Sequence, residues 1–300
     1  MAGSDTKASK EVRMVSDLLP KTATFGSSRA KMTIEAKSGW AAFDFREIWE
    51  YRDLLWVLVE REIKLRYKQT ALGVIWVILQ PLIAALIFAV ILGRFAKLPS
   101  DDFPYLLFVF SGLVAWSYFA GAVQRGSNSL IANSQLITKV YFPRLLIPLA
   151  NTMAAFVDFL VMLGIMLILM LAYRITPTLQ LLTLPIFLFL LILTATGVTL
   201  WLAALSVRYR DFTYAVPFLL QVWMYSSPII YPASVVPERW KLVYGLNPAV
   251  GLIEGFRWSL LGKGTITMET FFLTGAISLA VAIGGTLFFR GVERSFADVI

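Results

Sequence analysis

Long apolar runs dominate the chain after residue 68, and the one charged residue within them is Asp158 in the third run. Six of these runs are long enough to cross a membrane as a helix, which takes roughly 20 residues. They cover residues 69–93, 103–124, 145–173, 175–207, 212–237 and 270–289. Backbone amides must find hydrogen-bond partners inside lipid, and the runs are too long to be strands of a membrane barrel. The pattern therefore predicts an all-α membrane protein with six transmembrane helices.

The chain before the first run has two parts of different character. Residues 1–40 mix Lys, Ser, Thr and Ala without periodicity and lack the apolar core of a signal peptide, which predicts a flexible cytoplasmic tail. In residues 41–68, apolar side chains such as Trp49, Trp56 and Ile63 recur at helical spacing between charged ones. This pattern predicts an amphipathic helix, either lying in the membrane interface or packing on a partner.

The stretch 237–263, before the last run, differs from an ordinary loop. Its apolar part, 242–253, has about half the length of a crossing, and Pro248 and Gly251 fall within it. We expect a short re-entrant helix pair that lines a pathway, because irregular backbone at membrane depth must be buried in protein or face water. The alternative is an external amphipathic loop resting on the membrane surface.

Composition agrees with a membrane protein and indicates its orientation. The chain is 58% hydrophobic and 15% charged, with a mean hydropathy of +0.72 and a net charge of +8. Sorting the loops of six spans places eleven basic residues on the side of the termini and seven on the other. Since cytoplasmic loops carry the excess of Lys and Arg, both termini are expected in the cytoplasm. Residues 69–300 are expected to form one transmembrane domain.

Several kinds of chemistry are excluded by the residue types that are missing. The sequence has no Cys and no His, which removes disulfides, thiolate or imidazole metal sites and His-activated nucleophiles. It also has no phosphate-binding loop, because its one Gly-Lys pair, Gly262 and Lys263, lacks the upstream glycine of that motif. No catalytic residue, metal site or cofactor is therefore predicted in this chain.

Four segments in a fixed order carry a family resemblance. They are RYKQTALGVIWVILQPL from Arg66, RYRD from Arg208, SPIIYP from Ser227 and LNPAVGLIEGFRWSLLG from Leu246. Together they resemble the membrane subunits of type-two ABC exporters, most closely the permeases that export O-antigen, capsule or teichoic-acid polysaccharides. The resemblance implies six spans per chain, a homodimer and two copies of a separate subunit that binds MgATP. It also implies a polyprenyl-linked glycan as substrate and a bacterial inner membrane as location.

The polar stretch 125–144 lies between the second and third runs and is patterned for a short helix before Pro143. By resemblance, residues 127–140 form the coupling helix that receives force from the ATPase. The candidate coupling residues are Ser129, Ile131, Asn133, Leu136 and Lys139.

Aromatic and charged residues of the later spans and the last loop are candidates for a glycan channel and its gate. Aromatic faces suit weak contacts with sugar rings, although Trp and Tyr also gather at lipid interfaces. Glu254 and Arg257 are spaced to pair on one helix face. The candidates are Trp116, Tyr225, Tyr231, Trp240, Tyr244, Glu254, Arg257 and Trp258.

Basic residues at the cytoplasmic boundary either attract anionic lipid or receive the diphosphate of the glycan carrier at a lateral opening between the first and fifth spans. The candidates are Arg61, Arg66, Lys68, Arg208 and Arg210. Asp158, inside the third run, needs a partner, because an ionised carboxylate costs roughly 2.5 to 3.5 kcal/mol at the centre of a span. An intramembrane amide at Asn151, Gln80 or Gln221 would serve as that partner in a helix contact; the other possibility is a pathway residue.

The sequence thus predicts the membrane subunit of an ATP-driven polysaccharide exporter. The alternative is an ion- or proton-coupled secondary transporter or a lipid flippase that works without an ATPase. One intramembrane carboxylate, no His and no evident inverted repeat argue against that alternative. A membrane glycosyltransferase is a third possibility, but no carboxylate cluster supports it.

Overall fold

The structure, a computed structural model, describes residues 45–68, 73–101, 103–209, 211–262, 266–293 and Phe296. The predicted tail at 1–40 and the candidate Arg210 lie outside the described residues. Regular secondary structure in the described part is entirely helical, as predicted. The α-helices are α1 Phe45–Glu50, α2 Arg52–Tyr67, α3 Gly73–Phe88, α4 Tyr105–Ala132, α5 Ser134–Lys139, α6 Leu146–Ala172, α7 Leu184–Arg208, α8 Phe212–Tyr225, α9 Glu238–Gly245, α10 Pro248–Leu261 and α11 Met268–Glu293.

Five segments of the described chain are long and apolar enough to cross a membrane. They are Ile75–Phe95, Tyr105–Ala132, Leu146–Ala172, Leu179–Arg208 and Met268–Glu293. The first continues from α3 into a π-helix, Ala89–Phe95, and the fourth starts with a 3₁₀ turn, Leu179–Thr183. These five correspond to five of the six predicted runs.

The remaining run, 212–237, does not form one long helix. It contains α8, whose 14 residues span about 21 Å, and a turn after Tyr225 that ends the helix short of the hydrocarbon thickness of about 30 Å. Its apolar length in the sequence also includes the Ser227–Pro232 stretch, which consists of turns and bends.

Helix α4 is the centre of the bundle and is the most buried of the spans. It packs along α6 and α7 and contributes to a large apolar cluster that also includes α10. A second cluster joins α2, α5 and the adjoining ends of α6, α7 and α11. Within it, α2 buries Leu54, Leu58 and Val59 against the chain's own bundle, whereas Trp49 and Trp56 stay exposed.

Helices α7 and α11 share the tightest backbone contact of the bundle. A Cβ atom added at Gly285 would lie 2.2 Å from the carbonyl oxygen of Gly197, and one at Gly197 would lie 2.5 Å from that of Val281. The hydroxyl of Thr194 donates to that of Ser278 across the same seam, at 2.9 Å. Small residues of this kind let transmembrane helices approach closely.

Two short helices, α9 and α10, precede the last span, and the break between them falls directly before Pro248, whereas Gly251 does not interrupt α10. Pro248 occupies the first turn of α10, where its missing N–H is tolerated, and the Asn247 side chain caps that end by accepting from the Ala249 amide at 3.0 Å. Gly251 lies inside α10, and the close approach of Thr274 on α11 leaves no room for a side chain at this position. The helix ends at Gly262, whose φ of +73° is the left-handed conformation that glycine adopts without strain.

Candidate functional site

Arg257 of α10 connects three parts of the protein. It is 2% exposed, and its Nη1 donates to Glu254 Oε1 at 2.7 Å, so the pair predicted from the spacing is present. Its Nη2 donates to the carbonyl oxygen of Pro228 at 2.7 Å, and its Cζ lies 3.7 Å from the ring centroid of Phe108 on α4. One buried cation therefore holds α10 to the turn after α8 and to α4.

Further polar contacts fix the turn after α8 to the start of α10. Trp223 Nε1 donates to Asn247 Oδ1 at 2.7 Å, and Asn247 Nδ2 donates to Ser227 Oγ at 3.1 Å. The Tyr231 hydroxyl donates to the carbonyl oxygen of Tyr225 at 3.2 Å. The Tyr244 hydroxyl donates weakly to that of Tyr231 at 3.4 Å, and burial raises the pKa of Tyr244 well above its usual value. Hydrogen bonds thus join the turn to the start of α10 and to α9.

The predicted channel aromatics fall into internal and exposed groups. Trp116 is buried, with its ring centroid 5.4 Å from that of Phe119, and Phe119 meets Trp223 edge-on at 5.0 Å. Trp258 is half-buried, and its ring centroid is 6.5 Å from that of Phe187. Tyr225 and Trp240 are exposed. Within one protomer, Tyr225 and Trp240 are the two of these with rings open to an external contact.

Asp158 on α6 has charged partners instead of the expected amides. Its carboxylate accepts from Arg66 Nη1 and the Tyr67 hydroxyl of α2, and from Arg125 Nη2 of α4 at 3.1 Å. Asn151 Nδ2 donates to the Ile147 carbonyl oxygen at 3.2 Å instead. The prediction of an amide partner was wrong. The packing of α2 and α4 against α6 brings in side chains that are 33 to 92 residues away in sequence, and these occupy both carboxylate oxygens.

The two other amides proposed for Asp158, Gln80 and Gln221, are exposed on α3 and α8.

Burial raises the pKa of Tyr67 to about 12, and the hydrogen bond from the Tyr67 hydroxyl to Asp158 adds to that effect. The phenol therefore stays protonated and remains a donor at neutral pH.

A crevice of about 450 Å³ opens beside this charge cluster. Its lining includes Arg66 and Glu62 of α2, Arg125 of α4 and Asn151 of α6, with apolar walls from Ile63, Leu65 and Ala154. Burial raises the pKa of Glu62, while Arg61 and Arg125 oppose that shift. Arg125 was not among the candidate site residues, because α4 continues as a helix beyond the apolar run in which the sequence predicts the span to end.

The predicted basic set is not gathered in one place. Among the described members of that set, Arg66 alone joins the Asp158 cluster. Arg61 is half-buried, and its Nε finds no acceptor among the described residues. Lys68 and Arg208 are exposed at the ends of α2 and α7. In the described segments, no three acidic side chains come together in one group that could hold a metal ion.

The predicted coupling segment begins inside α4, which runs without a break to Ala132, and continues as the six-residue α5. Ser129 is buried and donates to the Gly126 carbonyl oxygen at 2.7 Å, and Asn133 Nδ2 donates to the Ser129 carbonyl oxygen at 2.9 Å. Leu136 is also buried, within the cluster around α2. The exposed side chains here include Ile131 and Lys139, and next to α5 Tyr141, which is 84% exposed.

Comparison with known proteins identifies relatives over most of this length. Residues 53–261 match the model of the ABC-2 type transporter family. The O-antigen export system permease protein RfbA of Myxococcus xanthus is 29% identical over 257 residues, covering 85% of this chain and 98% of the relative. The protein of the same name from Klebsiella pneumoniae is 28% identical, covering 83% of this chain and 95% of the relative.

A third relative, the polysialic acid transport protein KpsM of Escherichia coli, is 28% identical over 203 residues, which cover 65% of this chain and 76% of the relative. The family match runs from the start of α2 to the end of α10. It therefore includes the Asp158 cluster and also the Arg257 cluster, which consists of Arg257, Glu254, Pro228 and Phe108. The chain is thus a multi-pass membrane protein that belongs to the ABC-2 type transporter family.

Proposed function

We propose that this chain is the membrane subunit of an ATP-driven exporter that moves a polyprenyl-linked polysaccharide across the bacterial cytoplasmic membrane. The observation that carries the proposal is the similarity to an O-antigen export permease along 85% of this chain and 98% of that relative. A match of this extent leaves little of either protein outside the shared architecture. The weaker similarity to a polysialic acid transport protein supports glycans as the substrate class without selecting one glycan.

Energy is supplied by a separate ATPase subunit, of which we propose two copies, each binding MgATP. The docking surface is formed by exposed side chains of the α4–α6 connection. Tyr141 is the most prominent of these. Its ring is 84% exposed, so contact with a partner would remove a large apolar surface from water. Two neighbouring exposed side chains are Ile131, 38% exposed at the end of α4, and Lys139 at the end of α5.

We propose that two copies of the chain form the transporter, with α3 and α8 facing the partner copy or the pathway. Only 6% of the most apolar stretch of the first span is buried within one protomer. Exposure of apolar side chains alone would suit lipid, but Gln80 on α3 and Gln221 on α8 are also exposed. An amide facing hydrocarbon without a hydrogen-bond partner is costly, so these faces are better satisfied by protein or water.

The proposed topology has six crossings and cytoplasmic termini. The crossing added to the five long spans is the fifth in chain order, and it consists of α8 followed by the turns of the Ser227–Pro232 stretch. In this arrangement α9 and α10 form the external gate, and the Arg257 cluster holds the gate to the turn after α8. Tyr225 and Trp240 are then available to a passing glycan.

The proposal is tested in a strain that lacks the gene for this chain. We expect surface glycan to disappear and lipid-linked glycan to accumulate in the cytoplasmic leaflet, with both effects reversed by the wild-type gene. The matched control restores this chain but pairs it with an ATPase subunit that binds and cannot hydrolyse ATP, and it should not restore export. Normal surface glycan in the deletion strain, measured by lectin labelling of intact cells, contradicts the proposal.

A further inference from the structure

Asn247, directly before α10, uses every hydrogen-bonding position of its side-chain amide. Its Oδ1 accepts from the Ala249 amide at 3.0 Å and from Trp223 Nε1 at 2.7 Å. Its Nδ2 donates to the Ser226 carbonyl oxygen at 3.3 Å and to Ser227 Oγ at 3.1 Å. An amide carries two acceptor positions and two donor hydrogens, so all four are occupied. One side chain thus caps α10 and also binds the last turn of α8 and the turn after it.

The contacts to α8 explain why an amide suits this position. The cap of α10 alone would accept Asp or Ser as readily as Asn. A carboxylate here would lack both donors and would face the Ser226 carbonyl oxygen with a negative charge. A serine hydroxyl has one hydrogen to donate, so it could not bind α10 and both parts of the α8 end at once.

Helix α8 is otherwise loosely attached within the protomer. It packs on α4 and α7, and its buried side chains are Val216 and Leu220. Pro217 lies within the helix and has no N–H for the helical hydrogen bond, and helices kink where that bond is missing. Residues 218–225 therefore lie between a point where α8 can bend and the end that Asn247 holds.

Trp223 carries the contact with Asn247 to the centre of the bundle. Its ring meets that of Phe119 on α4 edge-on, with 5.0 Å between the centroids, and lies 6.4 Å from that of Trp116. The indole N–H is the polar group of the Trp223 side chain, and Asn247 is its acceptor. The orientation of the indole against α4 thus depends on a residue at the start of α10.

We propose that Asn247 is a positioning residue that makes the orientation of α8 follow α10. Arg257 binds the turn after α8, whereas Asn247 reaches the helix itself through Trp223. A displacement of α10 then moves the end of α8 and bends the helix near Pro217. The consequence for transport rests on the proposed function, in which α8 moves together with the external gate. The link between the two helices does not rest on it.

The test measures the mobility of α8 by electron paramagnetic resonance, using the purified full-length chain in lipid nanodiscs. A nitroxide spin label is attached at Phe218→Cys on the exposed face of α8, and in a second protein at Ile168→Cys on α6, since the chain has no native cysteine. We expect Asn247→Ser to raise the mobile fraction of the α8 label about threefold or more, because each neutral hydrogen bond lost shifts an equilibrium by about that factor. The α6 label should be unchanged.

Matched variants assign the effect to the hydrogen bonds of Asn247. Trp223→Phe removes the indole donor but keeps an aromatic ring, so it should also loosen α8, and it serves as the test if Asn247→Ser does not fold. The double variant should be no looser than Asn247→Ser alone, because both changes remove the same contact. Ser226→Ala is the control and should leave the label unchanged. Its hydroxyl donates to the Val222 carbonyl oxygen within α8, and its own carbonyl oxygen, which accepts from Asn247, is retained.

Two outcomes overturn the link. One is unchanged mobility at Phe218→Cys in both Asn247→Ser and Trp223→Phe; the other is equal loosening of the α8 and α6 labels, which indicates a general loss of structure. Surface-glycan labelling of cells tests the role in transport, and Asn247→Ser should lower export about threefold or more. Normal export with a loosened α8 overturns that role and leaves the proposed function standing. A loosened α8 in a chain that is dispensable for export removes the proposed function and leaves the link.

Discussion

Arg257 Nη2 donates to the carbonyl oxygen of Pro228 across 2.7 Å, while Nη1 of the same side chain pairs with Glu254. This relationship joins a helix and a turn that are separated by 29 residues of sequence. Because the guanidinium is 2% exposed, both acceptors would lose their donor at a place shielded from water if the arginine were removed. The contact therefore makes the position of the turn depend on α10.

The first prediction concerns the strength of that contact. Arg257→Met should lower the free energy of unfolding by about 3 to 5 kcal/mol, because it leaves Glu254 buried without its cation. The double variant Arg257→Met/Glu254→Met should recover part of the loss, since it removes the unpaired charge as well. Thermal unfolding of the purified protein in detergent measures both. Strictly additive losses in the double variant would contradict a buried pair.

The second prediction separates the proposed gate from its support. Trp240 is 54% exposed on α9, so Trp240→Ala should leave the unfolding temperature nearly unchanged while reducing export, if its ring contacts the glycan. Leu242→Ala on the same helix is the matched control and should affect neither quantity. Equal export by the two variants removes Trp240 from the pathway.

The third prediction corrects the view of the coupling segment that the sequence suggests. Leu136 is buried, so Leu136→Ala should cost about 2 kcal/mol or more of stability instead of acting on docking alone. Tyr141→Ala should leave stability unchanged and weaken co-purification of the ATPase subunit, and Tyr141→Phe should retain most of that association. Full retention of the subunit by Tyr141→Ala places the docking surface elsewhere.

The fourth prediction concerns topology and uses the absence of native cysteine. Tyr141→Cys and Leu242→Cys introduce single thiols at positions that are 84% and 76% exposed. In intact cells, a maleimide that cannot cross the membrane should label Leu242→Cys and spare Tyr141→Cys until the membrane is permeabilised. The reverse order of labelling would invert the proposed orientation.

The fifth prediction concerns the seam between α7 and α11. Gly285→Ala should destabilise the protein by about 1 to 3 kcal/mol, because the added methyl group meets backbone atoms of α7 that cannot move aside. Gly275→Ala, on the same helix but with nothing within 4 Å of the new Cβ, provides the control and should be close to neutral. Similar unfolding temperatures for the two variants would rule out a close backbone contact at this seam.

Hydropathy predicted the helical class and five of the candidate spans because length and the absence of charge suffice for that inference. The pairing of Glu254 with Arg257 was predicted from their spacing, because residues three apart on a helix lie on the same face. The end of α8 at Tyr225 was missed because only uncharged length was counted, although Ser226, Ser227 and Pro228 directly after the helix are turn-forming residues. The spans, the pair and the short helices are all local properties of the chain.

The partners of Asp158 depend on how three helices pack, and no local pattern records that. Arg66 comes from α2, outside the apolar runs, and Arg125 comes from a part of α4 that the sequence suggests is a loop. The burial of Leu136 was missed for the same reason, since its contacts come from α2 and the ends of distant spans.

The chain order of the Asp158 cluster also has a consequence for how the protein is made. Synthesis runs from the N-terminus, so Arg66, Tyr67 and Arg125 all reach the membrane before the carboxylate that they share. Asp158 is the last of the four to be translated, so its three donors are already made when it enters the membrane, and it need not be there as an unpaired carboxylate, which costs roughly 2.5 to 3.5 kcal/mol at the centre of a span. The chain order places the wait on Arg125 instead, whose long side chain lies about two turns from the end of α4 and can reach toward the interface until α6 arrives.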